Sequence, residues 1–305
     1  MIVVVCPGQG SQTPGFLAPW LSEPKFAAHL GQISDSVGID LAAHGTISDA
    51  DTIRDTAVAQ PLIVAAGLIT LGALLADRRE LVGGIAGHSV GEVTAAAAAG
   101  ILSEADAMIL VRERGLAMAK AAAGEATGMS AVLGGSEEAL LERLNELGLE
   151  PANFNGGGQI VVAGALTALA ALKETPPAGA RVIPLQVAGA FHTRYMAPAR
   201  AHLAAVASAM TSNDPTLPIW TNRDGSLVAG GGAFVDLLVG QVSSPVRWDK
   251  TMTAFATAGV TGLIEIAPAG ALVGLAKRGL AGVPTVAVKT PNDLTAAFDL
   301  IDGKS

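Results

Sequence analysis

Val82-Gly83-Gly84-Ile85-Ala86-Gly87-His88-Ser89-Val90-Gly91-Glu92 is the stretch that decides the fold. Its first part, Val82–Ala86, is a short apolar run that reads as a buried strand. Its last residues open an alanine-rich helix, Val90–Ala99. Between the two stands a G-x-S-x-G, Gly87 to Gly91, in the strand-turn-helix context that a nucleophile elbow needs. A serine oxygen at that point faces a helix N-terminus, where free N–H groups and the macrodipole favour a developing oxyanion. Ser89 followed three residues later by Glu92 also fits a capping box, the plain structural reading of the same residues.

The same alternation continues on both sides. Short runs read as strands at Ile2–Cys6, Ile160–Ala163, Val182–Val187, Gly262–Ile266 and Thr285–Val288. Ala/Leu-rich stretches read as helices at Gln60–Ala76, Glu104–Ala123, Met196–Met210, Val246–Ala258 and Ala271–Leu280. Strands alternating with helices point to an α/β fold with a largely parallel sheet. The segment from Met129 to Val187 differs. A strand at Met129–Leu133 precedes a helix capped by Ser136 and running to Leu147. Strands at Asn153–Asn155 and Ile160–Ala163 flank Gly156-Gly157-Gly158. A helix at Leu166–Lys173 stops at Pro176-Pro177, and Arg181–Val187 is the last strand. The order β-α-β-β-α-β is that of a ferredoxin-like unit. The expected organisation is therefore a ferredoxin-like small domain, 127–193, inserted into a discontinuous large domain, 1–126 and 194–305.

Composition narrows the function classes. Of 305 residues half are apolar and 15% are charged, which excludes a charge-solvated disordered chain. The longest uncharged apolar run, Leu62–Ala76, falls short of the ~18–20 residues of a membrane span and reads as a buried helix. No N-terminal signal peptide is legible. The one cysteine, Cys6, admits no internal disulfide and no cluster of cysteine metal ligands. A net charge of −8 argues against general nucleic-acid binding. The expectation is a cytoplasmic protein without a membrane or nucleic-acid partner, monomeric and free of metal.

Three further places carry chemistry. Pro7-Gly8-Gln9-Gly10-Ser11-Gln12 follows the first strand directly, at the end where open α/β sheets bind ligands. It fails the G-x-G-x-x-G pattern because Thr13 holds the third position, but an exposed N–H of Gln9 can serve an oxyanion hole. A serine nucleophile needs a base. Of the five histidines, His29, His44, His88, His192 and His202, His192 in Gly189-Ala190-Phe191-His192-Thr193 stands at the junction between domains, where clefts form. The plain reading of any one of them is a surface or core residue. No acid between Ser89 and His192 suits a triad, since Glu137 and Glu142 read as solvated helix faces, so a dyad is more economical. Arg114 lies beside an apolar stripe with Met118 one turn on, a setting in which a guanidinium can sit in a pocket and hold a carboxylate bidentately. Its plain reading is a surface arginine paired with Glu113 or another acid.

Taken together, PGQGSQ (7–12), AQP (59–61), GHSVGE (87–92), RG (114–115), GMSAVLG (128–134), GQIVVAG (158–164), GAFHT (189–193), QVSSPVRW (241–248) and PAGALVGLAKR (268–278) resemble the malonyl-CoA:acyl carrier protein transacylases. The strings run in the family's order over nearly the whole chain. The resemblance implies an α/β-hydrolase-like large domain around the insert. It implies Ser89 as acyl-accepting nucleophile, His192 as base then acid, and the amides of Gln9 and Val90 as oxyanion hole. It also implies Arg114 as the malonyl-carboxylate site and Gln241 as the residue whose main-chain carbonyl orients the histidine. Met118 and Phe191 would bound the acyl pocket and favour malonyl over methylmalonyl groups. The substrates implied are malonyl-CoA and acyl carrier protein, in fatty-acid or polyketide synthesis, with no cofactor. The same chemistry for a dedicated polyketide or malonate-decarboxylase carrier stays open. So do a serine thioesterase or hydrolase and a non-catalytic carrier-binding protein. By position, Arg194, Arg200, Lys277 and Arg278 are expected to receive the acidic carrier.

Overall fold

The computed structural model describes residues 1–304. It is a mixed α/β protein with two five-stranded sheets and thirteen α-helices among the described residues. In chain order the strands are β1 (Ile2–Cys6), β2 (Val82–Gly87), β3 (Thr127–Gly134), β4 (Glu150–Gly156) and β5 (Gln159–Ala165), then β6 (Ala180–Pro184), β7 (Ile219–Trp220), β8 (Val246–Arg247), β9 (Gly262–Glu265) and β10 (Thr285–Ala287).

The first sheet has the order β10-β9-β1-β2-β7 and all its pairs are parallel. Val3–Cys6 of the central strand are wholly buried, as continuous apolar strands of a doubly covered parallel sheet must be. Cys6 pairs with Gly87, so the loops after β1 and β2 leave the sheet side by side at its carboxyl edge. That edge carries both the Gly8–Gln12 loop and Ser89.

The second sheet has the order β6-β3-β5-β4-β8. β3, β4, β5 and β6 pair antiparallel, and the helices Glu137–Leu147 and Leu166–Glu174 cover one face through Leu140, Leu144, Leu169 and Leu172. Ser136 caps the first of these as expected, accepting from the Ala139 amide. The β8 strand was not foreseen. Val246-Arg247 pairs parallel with Asn153-Phe154 of β4, so the helix expected from Val246 starts at Trp248. A two-residue strand shows no periodicity, and the apolar spacing of the next helix absorbs it.

The helix Thr56–Leu75 lies in the core and starts four residues before the expected Gln60, because Asp55 caps it by accepting from the Ala57 amide. It is long and apolar enough to cross a bilayer, yet 83% of its apolar window is buried inside the protein. Helix Glu104–Ala122, capped by Ser103, packs against it. A Cβ at Gly115 would stand 2.9 Å from the Thr56 carbonyl oxygen, so glycine after Arg114 lets the two helices approach closely.

Candidate active site

Ser89 occupies the turn between β2 and the helix Gly91–Ala98, with φ of 54°. Left-handed backbone at a non-glycine residue costs of order 1–3 kcal/mol and persists only where the surroundings hold it. The surroundings are tight. A Cβ at Gly87 would lie 2.0 Å from the Gly91 carbonyl carbon, and one at Gly91 would lie 2.1 Å from the Cys6 carbonyl oxygen. Only glycine fits either side of the turn. The Ser89 hydroxyl does not cap the helix. It turns to His192, with Oγ 2.7 Å from Nε2. The capping-box reading of Ser89 and Glu92 is therefore corrected: Val90 is the N-cap and no side chain caps it.

His192 also has a left-handed backbone, with φ of 62°. Its Nδ1 lies 2.9 Å from the main-chain carbonyl of Gln241, the last residue of the helix Gly231–Gln241. Late carbonyls of a helix have no intrahelical donor and are free to accept elsewhere. In the tautomer that donates from Nδ1–H to this carbonyl, Nε2 keeps its lone pair toward the serine. Burial, reinforced by the positive charge of Arg114, pushes His192 down to about 3. The imidazole is therefore neutral over the whole physiological range. Glu137 and Glu142 are exposed helix residues, and among the described residues no carboxylate hydrogen-bonds to the imidazole.

Arg114 is 2% exposed, and Arg112 rather than Arg114 pairs with Glu113. Its Nη1 donates to Gln60 Oε1 at 2.6 Å and its Nη2 to Gln241 Oε1 at 2.8 Å. Nη2 also reaches Ser89 Oγ at 3.4 Å. Burial lowers its pKa to about 10, against the opposing pull of Glu92, so it stays charged. A cation thus stands directly behind the serine.

The open cavity above this cluster has a volume of about 360 Å³. Gln9, Ser89, Val90, Met118, Phe191 and His192 all line it. Among the described residues, the main-chain N–H groups of Gln9 and Val90 donate to no other group of the chain. They are free donors beside the serine, as an oxyanion hole requires. Asn153 and Asn155 reach the cavity from β4, and Arg278 from the helix Ala271–Gly279. Of the four basic residues expected to meet a carrier, Arg278 lies at the cavity, with exposed Lys277 beside it. Arg200 is exposed, and Arg194 is ion-paired with Glu150. No group of three or more His, Cys, Asp or Glu among the described residues is placed to hold a metal ion.

Sequence reasoning missed four participants. Gln60 stands inside the string AQP, but nothing local says that its amide meets Arg114. Asn222 had no local signal: its Oδ1 accepts from the Ser89 amide at 2.7 Å and its Nδ2 donates to the Gly87 carbonyl at 2.6 Å. Glu92 was hidden by its resemblance to a cap residue. His88 bonds across to Asn155 at 2.9 Å, joining the elbow to the second sheet.

Residues 3–292 match the acyl transferase domain model. The chain is 51% identical over 304 residues to the malonyl CoA-acyl carrier protein transacylase of Mycobacterium bovis, covering 98% of this chain and all of that one. The crystal structure of MCAT from Mycobacterium tuberculosis superposes with a TM-score of 0.93 at 51% identity, over 97% of this chain and 99% of the other. A second solved structure, a type II PKS acyl-carrier protein in complex with its malonyl-transacylase, gives 0.90 at 30% identity over 98% and 99%. With the family model spanning nearly its whole length and its relatives matched end to end, the chain belongs to the acyl transferase domain family.

Proposed function

We propose that this chain is a malonyl-CoA:acyl carrier protein transacylase supplying extender units for fatty-acid synthesis, working through an ester on Ser89. The single observation that carries the mechanism is the cluster in which Ser89 Oγ meets His192 Nε2 at 2.7 Å and Arg114 Nη2 at 3.4 Å. The names of its relatives supply the donor and the acceptor.

Ser89 Oγ attacks the thioester carbonyl while Nε2 of His192 takes its proton. The oxyanion forms against the amides of Gln9 and Val90. Collapse breaks the C–S bond, and the CoA sulfur leaves with the proton from His192. The phosphopantetheine thiol of the carrier then gives its proton to His192 and attacks the ester carbonyl; the C–Oγ bond breaks, and Ser89 Oγ takes the proton from His192. A histidine held near 3 is a poor resting base but a strong acid toward the departing thiolate. Burial is the main cause of that low value, and binding of the malonyl carboxylate at Arg114 offsets the lesser, electrostatic part of it, so donor binding partly restores the base. The main-chain carbonyl of Gln241 takes the orienting role of a triad acid. A thioester is already an activated acyl donor, and this sequence of steps draws on no cofactor.

Arg114 selects the group. An acetyl donor leaves the guanidinium with its two glutamine acceptors but no anionic partner, a loss of about 1.5–3 kcal/mol for a charged hydrogen bond. Phe191 and Met118 restrict the α-carbon side and disfavour methylmalonyl. The architecture we assign is an α/β-hydrolase-like large domain, 1–126 and 194–305, with a ferredoxin-like insert, 127–193. The strand order β6-β3-β5-β4 and its two covering helices support the insert. A cytoplasmic setting suits a chain whose only cysteine is buried and unpaired.

Intact-protein mass spectrometry after brief mixing with malonyl-CoA tests the reading. A malonyl adduct on wild type, none on Ser89→Ala, and its passage to holo acyl carrier protein are expected. Loss of the adduct to water with no transfer would assign a hydrolase instead.

A further inference from the structure

Behind the reacting groups lies a carboxylate that takes no part in the acyl-transfer steps. Glu92 is 1% exposed and belongs to the first turn of the helix Gly91–Ala98. Its Oε1 accepts from the main-chain N–H of Asn222 at 2.6 Å, and its Oε2 accepts from the side-chain amide of Gln241. Asn222 and Gln241 in turn hold both peptide groups of Ser89. The Ser89 N–H donates to Asn222 Oδ1 at 2.7 Å, and its carbonyl accepts from Gln241 Nε2 at 3.0 Å.

The orientation of the Gln241 amide is the sensitive point. An amide has one donor end and one acceptor end, and the two cannot be exchanged without a half turn. Nε2 faces Glu92 and the Ser89 carbonyl, so Oε1 must face Arg114, where it accepts from Nη2 at 2.8 Å. A carboxylate only accepts, and it can therefore face only the donor end. Were the amide turned, its NH₂ would face the guanidinium, donor against donor.

We infer that Glu92 is a positioning residue for acyl-group selection: through the Gln241 amide it fixes the Arg114 guanidinium in the place where a malonyl carboxylate is held. This rests on the malonyl-transfer reading. Burial raises Glu92 to about 7 despite the hydrogen bonds and the Arg114 charge that oppose the shift, so the ionised, acceptor-only form prevails above neutral pH, and the competition is run at pH 8. The charged or titratable groups near it are Arg114, on the helix packed beside it, and His192 beyond Ser89.

The experiment is a competition between equal concentrations of malonyl-CoA and acetyl-CoA, read as the ratio of initial malonyl to acetyl adducts by intact mass. Glu92→Gln keeps an acceptor for Asn222 but presents its NH₂ to Gln241, which forces the amide to turn. The ratio should fall at least tenfold, mostly through the malonyl rate. Glu92→Asp, which keeps the charge but withdraws it by one methylene, should lower the ratio at least threefold and covers the case in which the glutamine variant fails to fold. Gln241→Met keeps the main-chain carbonyl for His192 and removes both ends of the amide. It should match Glu92→Gln, and Glu92→Gln placed on that background should lower the ratio no further, because the two act as one unit. Equal falls in both rates with the ratio kept, or additive effects in the double variant, would show a merely structural role and overturn the inference. The wild-type malonyl adduct tests the functional reading separately, so the two failures are told apart.

Discussion

Two strand-turn-helix units flank the central strand β1, and they are built alike. In one, β2 leads through Ser89 into the helix Gly91–Ala98; in the other, β9 leads through Ala269 into the helix Ala271–Gly279. Each turn holds one non-glycine residue in the left-handed region, Ser89 at 54° and Ala269 at 53°. Each has one wholly buried glutamate, Glu92 and Glu265. Burial raises the pKa of both. The difference lies in what the carboxylates grip. Glu265 accepts three main-chain N–H groups, those of Gly270, Leu272 and Val273, and so ties down the start of its own helix. Glu92 grips Asn222 and the Gln241 side chain, which belong to other elements and touch the reacting groups. The same device serves as a local fastening in one unit and as a long-range one in the other. A buried acid is thus read by its partners, not by its burial.

The largest expected break in the likeness is at the turns. Ser89→Gly should lower malonyl adduct formation by about 10³-fold or more, while relieving left-handed strain and raising stability by about 0.5 kcal/mol. Mass spectrometry and a denaturant titration measure the two together. Next is Glu265→Gln. Replacing a charged acceptor of three N–H groups with a neutral one should destabilise the fold by about 1–3 kcal/mol. The malonyl-to-acetyl ratio of this variant should hold, in contrast to Glu92→Gln.

The acid side sharpens the comparison further. His192 is held at about 3 when folded, against an ordinary value near 6.5. Between those values the unfolded chain takes up a proton that the folded one refuses. Stability must therefore fall as the pH drops from 6.5 toward 3, by up to about 1.4 kcal/mol per pH unit for that one proton. His192→Ala should remove this component, so its stability should decline less steeply over the window. An unchanged slope would mean that the imidazole is protonated in the folded state. The smallest effect is expected at the silent turn. Ala269→Gly should stabilise by about 0.5 kcal/mol with adduct formation kept within about twofold.

The elbow unit was the more legible of the two. A G-x-S-x-G after an apolar strand states its own geometry, because the glycines that the turn needs are adjacent in sequence. The strand–helix alternation likewise exposed the parallel sheet, and the helix and strand order within 127–193 exposed the second one. His192 and Arg114 became legible only through the ordered set of strings that resembles a family, since their short neighbouring patterns fit a core histidine and a surface arginine as well, and nothing local says that they meet. What stayed hidden was long-range and polar. Gln60, Asn222 and Gln241 Oε1 come from three separate elements and converge only once the chain has folded. Glu92 was visible but misread, since a capping box and a buried anchor are written with the same two letters three apart. β8 was lost because two residues carry no period, and its pairing with β4 depends on where the segment Val246-Arg247 docks.

The Gln9 and Val90 amides bear on how such a site tolerates change. They leave from loops that follow two adjacent parallel strands, kept in step by Cys6 opposite Gly87 and by the His88 amide bonding to the Cys6 carbonyl at 2.9 Å. Neighbouring strands lie about 4.8 Å apart in any sheet. The gauge of the oxyanion pocket we propose is thus inherited from the ladder, much as the track of a railway is set by its sleepers. Side chains in both loops are free to drift, and the acyl groups accepted with them, while the distance between the two donors stays where the backbone put it.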